Sequence, residues 1–308
     1  MKIIRLEDDN KILEATAVAI GKFDGIHRGH IKLLERLKME KENGLQTVVF
    51  SFDKSIASFF SGIDVPMLQT DGEKEEFLAE FGIDILAIYP VNEDSVKISP
   101  EEFIKKILYV KLNAKVIVAG PDLSYADKGM GNFELLDSLS EKYSYTTVMI
   151  EKEIYEPLNA EISSTLVREA VVKGEMELSK ELLGRNYSIS GKVIHGRRLG
   201  RKMSFPTVNL IAEKNKLLPP FGVYTADVYV GSNKFCGVAN VGIKPTVSDN
   251  DMPCVETHIF DFDEDLYGEY IKVELKRFLR EEKKFGSIEE LKQQLAKDVE
   301  MAKRDINI

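Results

Sequence analysis

The sequence predicts an α/β chain in two parts: an N-terminal parallel sheet covered by helices, then a small antiparallel β-barrel with a terminal helix. Three observations carry this. Up to residue 183, short apolar runs alternate with stretches of helical periodicity, the pattern of a parallel sheet sandwiched between helices. From residue 184, period-two runs joined by turns such as Gly231-Ser-Asn233 take over. After Ser287 the helical spacing returns. At 308 residues there is room for two cores, and the boundary is expected at 183/184.

Taken in order, Ala15 to Ile20 is an apolar strand, and Ile31, Leu33, Leu34 and Leu37 mark the helix after it. Gln46 to Phe52 is a buried strand, and Asp71-Gly-Glu-Lys opens a helix whose apolar positions are Phe77, Leu78 and Phe81. Ile83 to Tyr89 is a strand. Ser99-Pro100-Glu101-Glu102 then starts a helix, with Ser99 as N-cap, Pro100 in the first turn and Glu102 closing a capping box. Val116 to Gly120 is the next strand. In the second part, Ser188–Ile194, Val223–Val230, Lys234–Val241, Glu256–Phe262 and Tyr270–Leu275 read as strands, a spacing that suits a barrel. Ser287 and Glu290 cap the last helix, whose stripe of Ile288, Leu291, Leu295 and Val299 is expected to be core.

Composition narrows the function. The chain has a net charge of −9, so it lacks the basic excess that displaces counterions from a nucleic-acid backbone, and no nucleic-acid partner is expected. Its two cysteines, Cys236 and Cys254, are too few for a disulfide framework and lack metal-ligand spacing, which points to reduced thiols in a cytoplasmic protein. No apolar run approaches membrane-spanning length, and the first residues have no signal-peptide core, so no membrane association is expected. Oligomeric state is not legible.

Three stretches carry chemistry. The first is Gly21-Lys-Phe23-Asp24-Gly25-Ile-His27-Arg-Gly-His30, at a strand-to-helix turn. Its glycines let backbone approach a ligand, and the helix start offers unpaired N–H groups to phosphate. His27 and His30 share one face of the first turn and can stabilise charge on an attacked phosphorus. They could instead be metal ligands, but no Cys, Glu or third His lies near them. The second stretch is Ile162-Ser163-Ser164-Thr165-Leu-Val-Arg168, where hydroxyls lead into a helix with an arginine one turn on. A serine cap alone is the other reading. The third is Gly196-Arg-Arg-Leu-Gly200-Arg201-Lys-Met-Ser-Phe-Pro-Thr207-Val-Asn209, a basic glycine loop running into a strand. Thr207 and Asn209, two apart, share a face and can coordinate a hard cation or phosphate. The glycine-rich loop Gly120 to Gly129, containing Asp122, reads by itself as an ordinary loop.

The paired histidines with Ser163-Ser-Thr-x-x-Arg168 resemble the nucleotidyltransferase superfamily, whose sheet is Rossmann-like. The Phe23-Asp-Gly version, followed by Leu182-Leu-Gly-Arg185, is similar to the adenylyltransferase half of prokaryotic bifunctional riboflavin kinase/FAD synthetases. The second half carries the riboflavin kinase motifs in order: Phe205-Pro-Thr-x-Asn209, Leu218-Pro-x-x-Gly-Val-Tyr224, Gly237-Val-Ala-Asn-Val-Gly242, Lys244-Pro-Thr246, Val255-Glu-Thr-His258, Asp265-Leu-Tyr-Gly268 and Phe278-Leu-Arg280. The resemblance implies riboflavin, FMN and ATP as small-molecule substrates, and Mg²⁺ as cofactor. It implies that His27, His30, Ser163, Ser164, Thr165 and Arg168 hold ATP phosphates, and that Asp122 lines the nucleotide site. It further assigns Gly21, Phe23, Asp24 and Gly25 to ATP in the first site and Gly196, Gly200, Arg201, Thr207 and Asn209 to ATP in the second. Thr207 and Asn209 also hold the metal, Glu256 is the general base, and Arg280 contacts flavin.

Departures from the family pattern fall on the flavin side of the adenylyl half. Ser51-Phe52-Asp53-Lys54-Ser55 stands where an aromatic, acidic, Pro-His-Pro stretch is usual, and Asp122-Leu-Ser-Tyr125-Ala126 where Asp-Phe-x-Phe-Gly is usual. Ser204 replaces a usual glycine. The alternatives are a kinase with a weak or inactive adenylyl half, and a non-catalytic flavin sensor, against which the retained Glu256 argues.

Overall fold

The computed structural model describes residues 1–7, 10–194, 205–244 and 252–305. The chain packs into two compact units, residues 1–164 and 165–308. Gly196, Gly200, Arg201, Ser204 and Thr246 lie outside the described residues.

The first unit is a six-stranded parallel sheet of β1 (Lys2–Arg5), β2 (Thr16–Ile20), β3 (Gln46–Phe52), β4 (Ile85–Tyr89), β5 (Ala114–Ala119) and β6 (Thr146–Met149), in the order β1-β4-β3-β2-β5-β6. Central β2 is buried at all five positions, which explains its unbroken apolar run. Ala17 and Ala19 pack with Leu33, Leu34 and Leu37 of α1 (Arg28–Glu42). Val18 and Ile20 belong to a separate cluster with Phe103, Ile104 and Leu108. Alternate residues thus serve opposite layers. After α2 (Ile56–Ser61) comes α3 (Asp71–Phe81), whose Leu78 joins the α1 layer; on the second layer α4 (Pro100–Phe103) runs on as a π-helical stretch, Ile104–Lys111. Further on come α5 (Phe133–Ser138), α6 (Ser140–Tyr143) and a short ribbon of β7 (Ile154–Tyr155) with β8 (Ala160–Glu161).

The expected caps are present, with differences in detail. Thr70, one residue before Asp71, forms a full capping box with Glu73. At Ser99 the hydroxyl accepts from the Glu102 N–H and donates to the Glu102 carboxylate. Asp84, just before β4, accepts from Lys41 Nζ at 2.6 Å, from the Thr47 N–H at 3.0 Å and from the Thr47 hydroxyl at 2.8 Å. Burial pushes this carboxyl up, but the Lys41 and Thr47 hydrogen bonds outweigh it and hold it below the ordinary value. A lowered folded value means stability that is present at neutral pH and lost as pH falls through that value. Asp84→Ala is therefore expected to cost about 1–3 kcal/mol at pH 7. In urea titrations the gap to wild type should narrow at acid pH; a pH-independent gap would contradict the assignment.

The second unit begins within α7 (Ser164–Lys173), continues through α8 (Met176–Leu183) and closes a barrel in the order β10-β13-β12-β11-β14-β9. Its strands are β9 (Tyr187–Ile194), β10 (Val208–Ile211), β11 (Gly222–Val230), β12 (Asn233–Lys244), β13 (Met252–Ile259) and β14 (Tyr270–Glu281), all antiparallel. A terminal helix, α9 (Ile288–Asp305), packs on β11 and β12. β13 starts four residues before the expected Glu256 and stops at Ile259, where the chain turns through Asp261 at φ 53°. The α9 stripe meets expectation in part: Val299 packs against the buried cluster of Val223, Val238, Phe260 and Ala302. Ile288 is 72% exposed, while Leu291, Leu295 and Val299 are half-buried on the wall of a cavity.

Candidate active sites

In the first unit, β2 delivers the chain to a tight turn at the centre of the sheet edge. Phe23 (φ 49°), Gly25 (φ 84°) and Ile26 (φ 38°) all take left-handed backbone, costing about 1–2 kcal/mol for each residue with a side chain. Both Phe23 and Ile26 are fully buried, and their packing offsets that cost. A Cβ on Gly25 would come within 2.8 Å of the Leu68 side chain. The Asp24 carboxylate accepts from the Leu68 N–H at 2.9 Å, and its carbonyl accepts from the Ser164 hydroxyl at 2.8 Å. Ser51 donates to the carbonyl of Lys22. The turn is fixed by these ties. Asp24, Gly25 and Phe23 therefore shape the loop, and the ring of Phe23 lies in the core beside His30, 5.0 Å between centroids.

The turn ends at His27, the N-cap of α1, whose side chain makes no capping hydrogen bond; the first helical turn has no acidic residue. Anionic ligands are favoured at such a helix start. The imidazoles of His27 and His30 stack, with centroids 3.9 Å apart and planes at 27°. A Cβ on Gly29 would lie 3.2 Å from the His27 ring, so this glycine gives the ring its place. Arg28 and Lys32 both pair with Glu153. Asp122 is exposed beyond β5, with its carboxylate 3.4 Å from Lys152. The Glu161 carboxylate holds the Lys152 ammonium above its ordinary value. Ser163 and Ser164 close the first unit; Thr165, exposed, and Arg168, half-buried, fall on α7 in the second.

The divergent loops are built into the scaffold. Asp53 accepts from the Val91 N–H at 2.9 Å, and Lys54 lies over the ring of Phe59. Tyr125 packs on Phe103 and covers Gly131, where a Cβ would meet its ring at 2.4 Å; burial pushes the phenol up to about 12. Sequence reasoning missed the Leu68 contact with the turn and the buried Lys74, 3.7 Å from Asp71.

In the second unit, β10 and β13 pair with Asn209 opposite Glu256. The Thr207 hydroxyl donates to Glu256 Oε1 at 2.6 Å. Asn209 is buried, and its side-chain carbonyl accepts from the Cys254 thiol at 3.8 Å. Two cavities meet here. One, about 610 Å³, is lined by Thr207, Asn209, Glu256 and an apolar wall that includes Val223, Phe285 and Leu295. The other, about 470 Å³, runs from Thr207 and Thr257 to Asp263 and Tyr267. Thr207 lies on both walls. Arg280 reaches the larger cavity as half of a bidentate pair with Asp298, at 2.9 and 2.6 Å, and Asp298 is fully buried.

The oxygens at this junction are hard donors: a hydroxyl, a buried amide carbonyl and a carboxylate. They suit a magnesium ion that takes only one or two protein oxygens and the rest from phosphate and water. No cluster of three His, Cys, Asp or Glu able to hold a metal occurs among the described residues.

Comparison with known proteins agrees with both halves. A family model described as FAD synthetase matches residues 9–166, and one described as riboflavin kinase matches residues 183–306. A bifunctional riboflavin kinase/FMN adenylyltransferase of Buchnera aphidicola subsp. Schizaphis graminum is 39% identical over 313 residues, covering the whole of both chains. The protein of that description from Haemophilus influenzae is 34% identical over 312 residues, again covering both chains entirely. A crystal structure described as a macrolide-efflux protein from Streptococcus pneumoniae is 28% identical with a TM-score of 0.86, covering 98% of this chain and 99% of that one. Among the described residues no helix is long and apolar enough to cross a membrane. With full-length relatives at this identity and a family model on each half, the chain belongs to the bifunctional riboflavin kinase/FMN adenylyltransferase family.

Proposed function

We propose that this chain makes FMN from riboflavin and FAD from FMN, spending one ATP in each step at a separate site, in the cytoplasm. Residues 184–308 carry the kinase and residues 1–183 the adenylyltransferase. The observation that carries the kinase reading is the 2.6 Å contact between Thr207 and Glu256 at the junction of the two cavities.

The larger cavity, with its apolar wall and the Arg280–Asp298 pair, suits the flavin ring; the smaller suits the nucleotide. The ribityl 5′-hydroxyl then meets the γ-phosphate at Thr207. One Glu256 oxygen accepts from Thr207, and the other is left to accept the ribityl proton as the oxygen attacks phosphorus. Holding alcohol and phosphate in line supplies most of the barrier reduction. Thr207 and Asn209 would hold Mg²⁺, which when bound offsets phosphate charge. Gly196, Gly200 and Arg201 are assigned to ATP on motif alone.

In the adenylyl step an FMN phosphate oxygen attacks the α-phosphorus of ATP and pyrophosphate leaves. The N-terminal end of α1, with no acidic residue in its first turn, and the stacked His27 and His30 are suited to stabilise the charge that builds there. The backbone from Gly21 to Gly25 shapes the entry, Asp122 lines the nucleotide site, and Ser163, Ser164, Thr165 and Arg168 complete phosphate binding.

Incubating the full-length chain with riboflavin and MgATP should give FMN first, then FAD. FMN accumulating without FAD under any redox condition would mean an inactive adenylyl half. Tight FMN binding with no ATP consumed would mean a sensor.

A further inference from the structure

We infer that His258 is a positioning residue for riboflavin phosphorylation, holding the segment that presents Thr207 to the reacting groups; this rests on the kinase reading above. His258 Nδ1 is 2.8 Å from the carbonyl oxygen of Pro206. A carbonyl only accepts, so Nδ1 carries the proton and donates, which fixes the tautomer of the neutral ring. The ring also stands edge-on to Phe205, 5.4 Å between centroids, and to Phe260 at 5.8 Å. His258 therefore holds the two residues that precede Thr207 by two kinds of contact.

The geometry places this hold next to the chemistry. Glu256 and His258 are two apart on β13, so they share a face of that strand, and both line the larger cavity. Glu256 takes the Thr207 hydroxyl and His258 takes the Pro206 carbonyl, so one strand fastens consecutive residues of the facing segment at two points. β10 begins only at Val208. Phe205 to Thr207 thus lie ahead of the ladder, without strand pairing to set their position. Behind His258, β12 is fixed closely: a Cβ on Gly237 would come 2.5 Å from the His258 carbonyl. The clamp has a firm base. Proline's missing N–H removes a donor from the segment but leaves the carbonyl that His258 uses.

The test uses the full-length chain and reads both reactions. His258→Leu should lower kcat/KM for MgATP in riboflavin phosphorylation about tenfold, roughly the value of one hydrogen bond plus its alignment. Riboflavin affinity, followed by fluorescence quenching, should fall clearly less than kcat/KM for MgATP even though His258 lines the larger cavity, and FMN adenylylation should not change. His258→Asn, whose amide can donate near the position of Nδ1, should recover most of the loss. In the double variant with Thr207→Val, the combined loss should be smaller than the product of the single losses, because both residues act on one segment. The proposal is overturned if His258→Leu stays within about twofold of wild type, if asparagine rescues no better than leucine, if riboflavin affinity falls as far as kcat/KM, or if the double variant is multiplicative. Glu256→Gln, measured alongside, separates the two levels. If it leaves the kinase intact the reading of the site fails; if it abolishes turnover while His258→Leu is silent, only the clamp fails.

Discussion

Replacing Glu256 with glutamine is expected to lower riboflavin phosphorylation by about 10²- to 10⁴-fold, or roughly 3–5 kcal/mol of barrier, and to leave FMN adenylylation untouched. A glutamine side chain keeps the size and can still accept from the Thr207 hydroxyl, so the local geometry survives while the proton acceptor is lost. The loss should appear in kcat with little change in riboflavin affinity, because a base at Glu256, as proposed, would act on the hydroxyl only as the bond to phosphorus forms. Measuring each half-reaction with its own flavin checks this. Equal loss of both activities would refute separate sites.

His30→Ala should do the reverse, cutting FAD formation from FMN by about 10²- to 10³-fold, as removal of a single charge-stabilising donor does elsewhere. Riboflavin phosphorylation should be unaffected. His30 is the better choice of the pair: it is half-buried, whereas His27 is 7% exposed, caps α1 and packs over Gly29. Alanine suits the helix interior, so a loss of FAD synthesis would report on the imidazole and not on the fold. Unchanged adenylylation would remove the histidines from the reaction.

What was legible in advance was local. The β2 run, the helix after it and the cap at Ser99 each follow from residues within a few positions of one another. Barrel strands followed from period-two runs without intervening helices. β13 starts earlier than expected and includes Pro253, which sits near the strand start with its carbonyl accepting from the Ala212 N–H. The α9 stripe was read as core: Val299 does pack against the Val223, Val238 and Phe260 cluster, while Leu291 and Leu295 line a cavity, which periodicity does not distinguish from a core. Contacts between distant segments were out of reach. Asp24, which the resemblance assigns to ATP, has one carboxylate oxygen engaged by the Leu68 N–H, 44 residues on. Arg280 gave no sign of Asp298, with which it spans from a strand to a helix.

Thr207 stands on the boundary of two voids, and that placement bears on kinetic order. With separate chambers, donor and acceptor can be resident together, so no phosphorylated enzyme need relay the group between them. Transfer in one displacement, from a ternary complex, inverts the configuration at phosphorus; a ping-pong relay through a side chain would restore it.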